Sequence, residues 1–190
     1  MDVVQKSFST KGSLKDWQIF YKKYFGISKD FSEIKIPVSK TGFNTLVVVI
    51  KEISSRDIFL DHIKFLRGSH KADISLDAAD DYSDRSSVSG DYAIWINDSR
   101  EPDIRLNKST LSLLPHYSFI TLREELLIIL KHSSKCDSLI NNYTYSICAG
   151  SIFPDGRVPI ISCINQSGVN ISSVDIHTYG EIFGHRQVVS

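Results

Sequence analysis

Residues 120–163 read ITLREELLIILKHSSKCDSLINNYTYSICAGSIFPDGRVPIISC, and this stretch holds the change of period that decides the fold. Leu122, Leu126, Ile129 and Leu130 recur at helical spacing, behind a Thr121–Glu124 pair that forms a capping box. The acids Glu124 and Glu125 suit the first turn of a helix, and Lys131 and His132 suit its last. Past Tyr143 the helical period stops. Tyr143 to Cys148 and Val158 to Ser162 have the length and composition of strands, and Phe153-Pro154-Asp155-Gly156 between them is a turn.

Working outward toward the C-terminus, Val169 to Ile176 reads as a further strand, and Arg186 to Val189 is placed to close a sheet. Alternation sends Val169, Ile171, Ser173 and Asp175 one way and Asn170, Ser172, Val174 and Ile176 the other. Neither set is wholly polar. A bulge near Ser172-Ser173 is therefore expected, returning Ile171, Val174 and Ile176 to one core face.

Toward the N-terminus, Leu14, Trp17, Phe20, Tyr21, Tyr24 and Phe25 form a helical stripe, with Ser13 as its expected cap and Gly26 as its stop. The alternation of Ile34 and Ile36 suggests a short strand over Phe31 to Pro37. Thr45 to Ile50 is β-branched and reads as a central strand. Ser54 or Ser55 caps a helix that runs to about Leu66. Lys71 to Asp91, with six aspartates, reads as a long polar loop. Asp91 to Asn97 is a strand with Tyr92, Ile94 and Ile96 on one face. The chain is thus helix-rich in front and strand-rich behind, an α+β protein. Helices in the first two-thirds pack on a mixed or antiparallel sheet, and residues 143–190 are strand and loop. With 190 residues, no repeat and no linker-like segment, one domain spanning 1–190 is expected.

Composition narrows the function. Lys+Arg and Asp+Glu both number 22, so the basic excess of a nucleic-acid binder is missing. Cys136, Cys148 and Cys163 form neither a disulfide framework nor a CxxC pair, and read as reduced thiols in a cytoplasmic protein. No apolar run approaches the ~20 residues of a membrane span. No HExxH, GxSxG, Walker loop or GxGxxG is present. Catalytic residues, metal ligands and cofactors are therefore not expected. Cys148 with His177 would make a nucleophile pair only through the fold. His62 reads as a boundary residue of its helix.

The last quarter concentrates Ser162, Asn165, Asn170, Ser172, Asp175, His177 and Tyr179. These are the residue types of adaptable binding surfaces, although the wet face of a sheet would also use them. They are the expected ligand-binding residues of a non-enzymatic module whose partner is a protein, and an inhibitor of another protein would read the same way. The alternative is a small metal-assisted hydrolase or nuclease, its acids taken from residues 73–91 and its histidines supplied by the fold.

The stretches IFYKKYFGISKDFSEIKIP from Ile19, GDYAIWINDSREPD from Gly90, ITLREELLIILK from Ile120, SICAGSIFPDGRVP from Ser146 and HRQVVS from His185 carry a resemblance over residues 17–190. They resemble an uncharacterised family of hypothetical proteins from uncultured bacterial lineages. The layout, with variation after Gly150 to Pro159 and a short Arg-containing end at Phe183 to Ser190, is similar to that of the variable proteins of diversity-generating retroelements. That resemblance implies a C-type-lectin-like scaffold whose rewritten C-terminal side chains form a ligand-binding face. This chain departs from the pattern in two places. It lacks the tryptophans of the family near Cys163 and in the following strand, and it has FGHR at Phe183 to Arg186 where LRSR is usual.

Overall fold

The computed structural model describes residues 10–66, 68–85, 90–102, 107–136 and 138–190. In chain order its elements are α1 (Thr10–Phe25), β1 (Thr45–Val49), α2 (Ser55–Asp61), β2 (Lys71–Ala72), α3 (Leu76–Asp81), β3 (Tyr92–Ile96), α4 (Thr110–Leu113), α5 (Leu122–Ser133), β4 (Tyr145–Ile147), β5 (Arg157–Ser162), β6 (Asn170–Asp175), β7 (Phe183–His185) and β8 (Val188–Val189). The strands form two sheets, one ordered β1-β3-β8 and the other β2-β6-β5-β4-β7. The first is antiparallel. The second is mixed, with parallel β2–β6 and β4–β7 pairs at its two margins. The class is α+β. Among the described residues no helix is long and apolar enough to cross a membrane.

The free edge of β1 is closed by α1. Trp17 Nε1 donates to the Leu46 carbonyl at 2.8 Å, and the Tyr21 hydroxyl donates to the Val48 carbonyl at 2.6 Å. Two exposed-edge acceptors are thereby satisfied by the aromatic stripe that also fills the core. α1 is already helical at Thr10, so Ser13 lies inside it and is not its cap. Phe31 to Pro37 forms no strand. Ile34 and Ile36 are half-buried against the core in irregular chain, and the Pro37 carbonyl accepts from Trp95 Nε1 at 2.7 Å.

The Asp-rich stretch is more ordered than its composition suggests. It contains β2 and α3, the latter capped by Ser75 and anchored by buried Leu76 and Ala79. Residues 86–89 of that stretch lie outside the described residues. β2 reaches β6 through a close backbone crossing, in which Ser69 N–H donates to the Ser167 carbonyl at 2.8 Å. A Cβ on Gly168, whose φ is +125°, would lie 1.8 Å from the Ser69 oxygen, so only glycine fits.

β5 and β6 pair in unbroken register from Arg157 opposite Asp175 to Ser162 opposite Asn170. The expected bulge at Ser172-Ser173 is absent because both faces of this sheet have apolar company. Ile161, Cys163 and Ile171 join the large core made with α1, α2, α5 and the first sheet. On the other face Val158 and Ile160 join a smaller cluster with Ile147, Leu113 and Phe119, against which Val174 and Ile176 pack. A strand with a core on each side needs no bulge to place its apolar residues.

Candidate functional site

The densest group of ionisable side chains surrounds the start of α5. Its capping box forms as the sequence predicts, with Thr121 accepting from the Glu124 N–H. The Glu124 side chain accepts from Thr121 N–H at 2.8 Å, from the Tyr92 hydroxyl at 2.9 Å and from Arg85 Nε at 2.8 Å. Arg85 also donates to the Phe119 carbonyl. Glu125 accepts from Arg186 Nε at 3.1 Å and from Asn141 Nδ2 at 2.5 Å. Arg186 spends its other nitrogens on the Ser99 carbonyl and Asn141 Oδ1, at 2.9 and 3.1 Å. Burial pushes the Glu124 carboxyl up, but Arg85 and the other donors outweigh it and hold the acid ionised.

This centre is a closed clasp rather than a catalytic constellation. Both carboxylates are fully buried and their acceptors are engaged by fixed donors. Next to it, His185 Nε2 meets Thr110 Oγ1 at 2.9 Å and the ring packs on Phe119. Burial alone pulls that imidazole down to about 4, so it is neutral at pH 7. The sequence assigns Glu124 to the capping box and both acids to the helix dipole, and carries no local sign that Arg85 and Arg186 come from distant segments to meet them.

The other chemical candidates disperse. Cys148 is buried, and its thiol is pushed well up, first by burial and then by Glu125 and Glu124. His177 is exposed beyond the end of β6 and is no partner to it. His62 is a boundary residue, packed edge-on against the Phe25 ring at 4.4 Å. The acids of residues 73–91 do not converge. Asp73 pairs with Lys71, Asp77 with Arg56 and Asp84 with Arg85, each at 3.0 Å, and Asp91 pairs with Lys29 at 2.6 Å. Asp80 accepts from the Ser55 hydroxyl at 2.7 Å and faces buried Arg123 at 3.8 Å. Among the described residues no cluster of three His, Cys, Asp or Glu could hold a metal ion.

The C-terminal residues divide by strand parity. Ser162 is buried at the end of β5, only 3% exposed, so its side chain is not available to a partner. Asn170 is exposed and Ser172 half-buried on the face shared with Val174. Asp175 is exposed on the opposite face, paired across from Arg157. Asn165 sits in a 3-10 turn with φ of 55°, beside Gln166 at 56°. His177 and Tyr179 are exposed in the β6–β7 connection. The seven residues therefore do not share one plane. Asn170 and Ser172 belong to the sheet face, Asp175 lies behind it, and the others lie at its ends.

Ser172, Ile160, Ile147 and His185 form one row across β6, β5, β4 and β7. The last three are buried beneath the smaller apolar cluster with Leu113 and Phe119, so this face is open only toward its margins. Toward the start of β4, Asn170 pairs across from Ser162, and Tyr145 pairs across from Phe183 with ring centroids 5.5 Å apart. Tyr143 is 72% exposed and Ile182 53% exposed at the margin. Tyr143 and Tyr145 at a spacing of two were the readable signal. Compared with protein-family models, with curated proteins and with solved structures, the chain has no match in any of the three.

Proposed function

We propose that this chain is a non-enzymatic binding module that presents the open margin of the outer face of its C-terminal sheet, with the adjoining turns, to another protein. The observation that carries the reading is the combination on one backed sheet of exposed Asn170, half-buried Ser172, Tyr145 and Phe183, and the exposed rim residues Tyr143, Tyr179 and Ile182. Tyrosine gives large contact area for little conformational entropy, and Asn and Ser give adaptable hydrogen bonds. Exposed apolar side chains grouped in this way mark interaction surfaces more often than scattered ones do. Asn165 and His177 extend the surface beyond the strands, and Asp175 can contribute only from the reverse side.

The resemblance to variable proteins of diversity-generating retroelements supports the same surface, since their rewritten codons fall in the corresponding final segment on a C-type-lectin-like scaffold. A reverse transcriptase gene beside this one, with an imperfect repeat of the last codons differing mainly at adenines, is the expected genomic context. The rival reading, a metal-assisted hydrolase or nuclease, has no supporting observation in the separately paired acids of residues 73–91.

The test is site-specific photo-crosslinking in the native host. A benzoylphenylalanine placed at Tyr143 or Tyr179 should yield a discrete crosslinked protein, and one placed at exposed Ile19 on α1 should not. Equal crosslinking from all three positions, or none from Tyr143 and Tyr179, overturns the assignment of this face.

A further inference from the structure

A pocket of about 180 Å³ lies away from the sheet face just described, bounded by α1, β1, the end of β3 and the C-terminal half of α5. Five basic side chains line it: Arg100, Lys131, His132, Lys135 and Arg186. Arg186 is committed to Glu125, and among the described residues none of the other four forms an ion pair with a carboxylate. The ammonium of Lys131 is the least compensated. Its nitrogen is buried without a hydrogen-bond acceptor. It stands 3.7 Å from the centre of the Trp17 ring and 5.2 Å from that of Phe20.

An ammonium has three donors to satisfy, and a ring face satisfies them only in part. Burial, and then the nearby charge of Lys135, pull the Lys131 amine down to about 7, against the weaker opposing pull of Asp16. His132 is likewise held down by burial, then by Arg100 and Lys135. Lys131 and Lys135 thus repel each other, Arg100 and Lys135 disfavour a charge on His132, and the group is short of anionic partners. Asp98 also lines the pocket, but it is exposed. The dipole at the end of α5 favours Lys131 and His132 there. It does not explain Arg100, which arrives from the connection after β3, or a buried nitrogen without an acceptor. Val47, Ile96, Ile128 and Ile140 give the wall an apolar part, beside the polar Thr45, Asn97 and Ser99.

We propose that this pocket binds a small organic carboxylate with an apolar body, its head group held by Lys131 and Lys135 with Arg100 at the mouth. The volume is below the roughly 300–1,000 Å³ of clefts that take drug-sized ligands, so the occupant is small. This site stands independently of the protein-binding face, and either can fail without the other.

Titration calorimetry on the full chain tests it, with octanoate as the probe. Octan-1-ol, which has the chain without the charge, and inorganic phosphate, which has the charge without the chain, are the controls. Octanoate is expected to bind about tenfold or more tighter than either. Lys131→Met, which keeps the aliphatic stem, should weaken octanoate by a similar factor. Lys135→Gln and Arg100→Gln alter exposed side chains and leave the fold intact, so they read the head-group contact even if Lys131→Met misfolds. Octanol binding as tightly as octanoate would reduce the pocket to an apolar crevice. Phosphate binding as tightly would reduce it to an unspecific anion site. Octanoate binding unchanged in both Lys135→Gln and Arg100→Gln overturns the proposal.

Discussion

The start of α5 and the outer face of β6 differ in a way that separates stability from function in this molecule. The first holds two carboxylates and two arginines, the residue types from which catalytic sites are made, yet its groups are buried and joined to one another. The second offers mainly uncharged side chains, yet several of them are open to solvent. Reactive chemistry needs a group that can change partners. A carboxylate with its acceptors committed to fixed donors instead ties distant segments together, here Arg186 near the C-terminus to Glu125 on α5. The residue types alone would rank these two regions in the opposite order.

Substitutions that separate the two regions should show a graded effect. Arg186→Met leaves Glu125 buried without its cation and should cost about 3–5 kcal/mol, read from urea unfolding. The double variant Glu125→Leu with Arg186→Met should lose less than the sum of the single variants, because the two groups are coupled. Full additivity would show that the clasp is not a unit. Ile171→Ala, on the inner face of β6, should cost about 2–5 kcal/mol through lost burial and the cavity left behind. A loss below about 1 kcal/mol there would contradict a core on that side of the sheet.

His185 gives a subtler contrast, visible only in acid. Its imidazole is held down to about 4 in the folded chain against 6.5 when free. Between those values the unfolded chain binds a proton that the folded chain refuses, so stability falls as pH drops through that window. Asp84, raised by burial to about 6 from 3.8, acts in the opposite direction: the folded chain takes up the proton first. His185→Phe should therefore flatten the acid side of a stability-against-pH curve between 6.5 and 4, and an unchanged slope would mean that His185 is not held neutral. The smallest effect belongs to the open face. Asn170→Ala with Ser172→Ala should alter stability by no more than about 0.5 kcal/mol, while abolishing the crosslink expected from Tyr143. A large stability loss would make those side chains structural.

Local signals in this sequence translated well. The Thr121–Glu124 box, the Gly26 stop, the β1 and β3 strands and the turn at Pro154-Asp155-Gly156 each depend on residues a few positions apart. So did the alternation along Val169 to Ile176, which holds in β6 without the bulge invoked to tidy it. The expected bulge assumes a single core, and no local pattern reveals that a second apolar cluster covers part of the outer face of the sheet. α3 was missed because six residues of LDAADD carry almost no helical stripe, and Leu76 and Ala79 become informative only against the partners that bury them. Of the candidate binding residues, parity correctly divided Asn170 and Ser172 from Asp175. It could not show that Ser162 is buried, since that depends on the strands and side chains laid around it.

The chain by itself determined where helices start, where strands alternate and where turns fall, because those choices are made by neighbours within one or two turns of backbone. Only the tertiary structure decided that Glu124 finds Arg85 across 39 residues and that Glu125 finds Arg186 across 61. It likewise decided that Lys131 is left on an aromatic ring without an anion. The strength of a charge depends on what surrounds it and how much water reaches it, and both are properties of the packed molecule rather than of any stretch of its sequence.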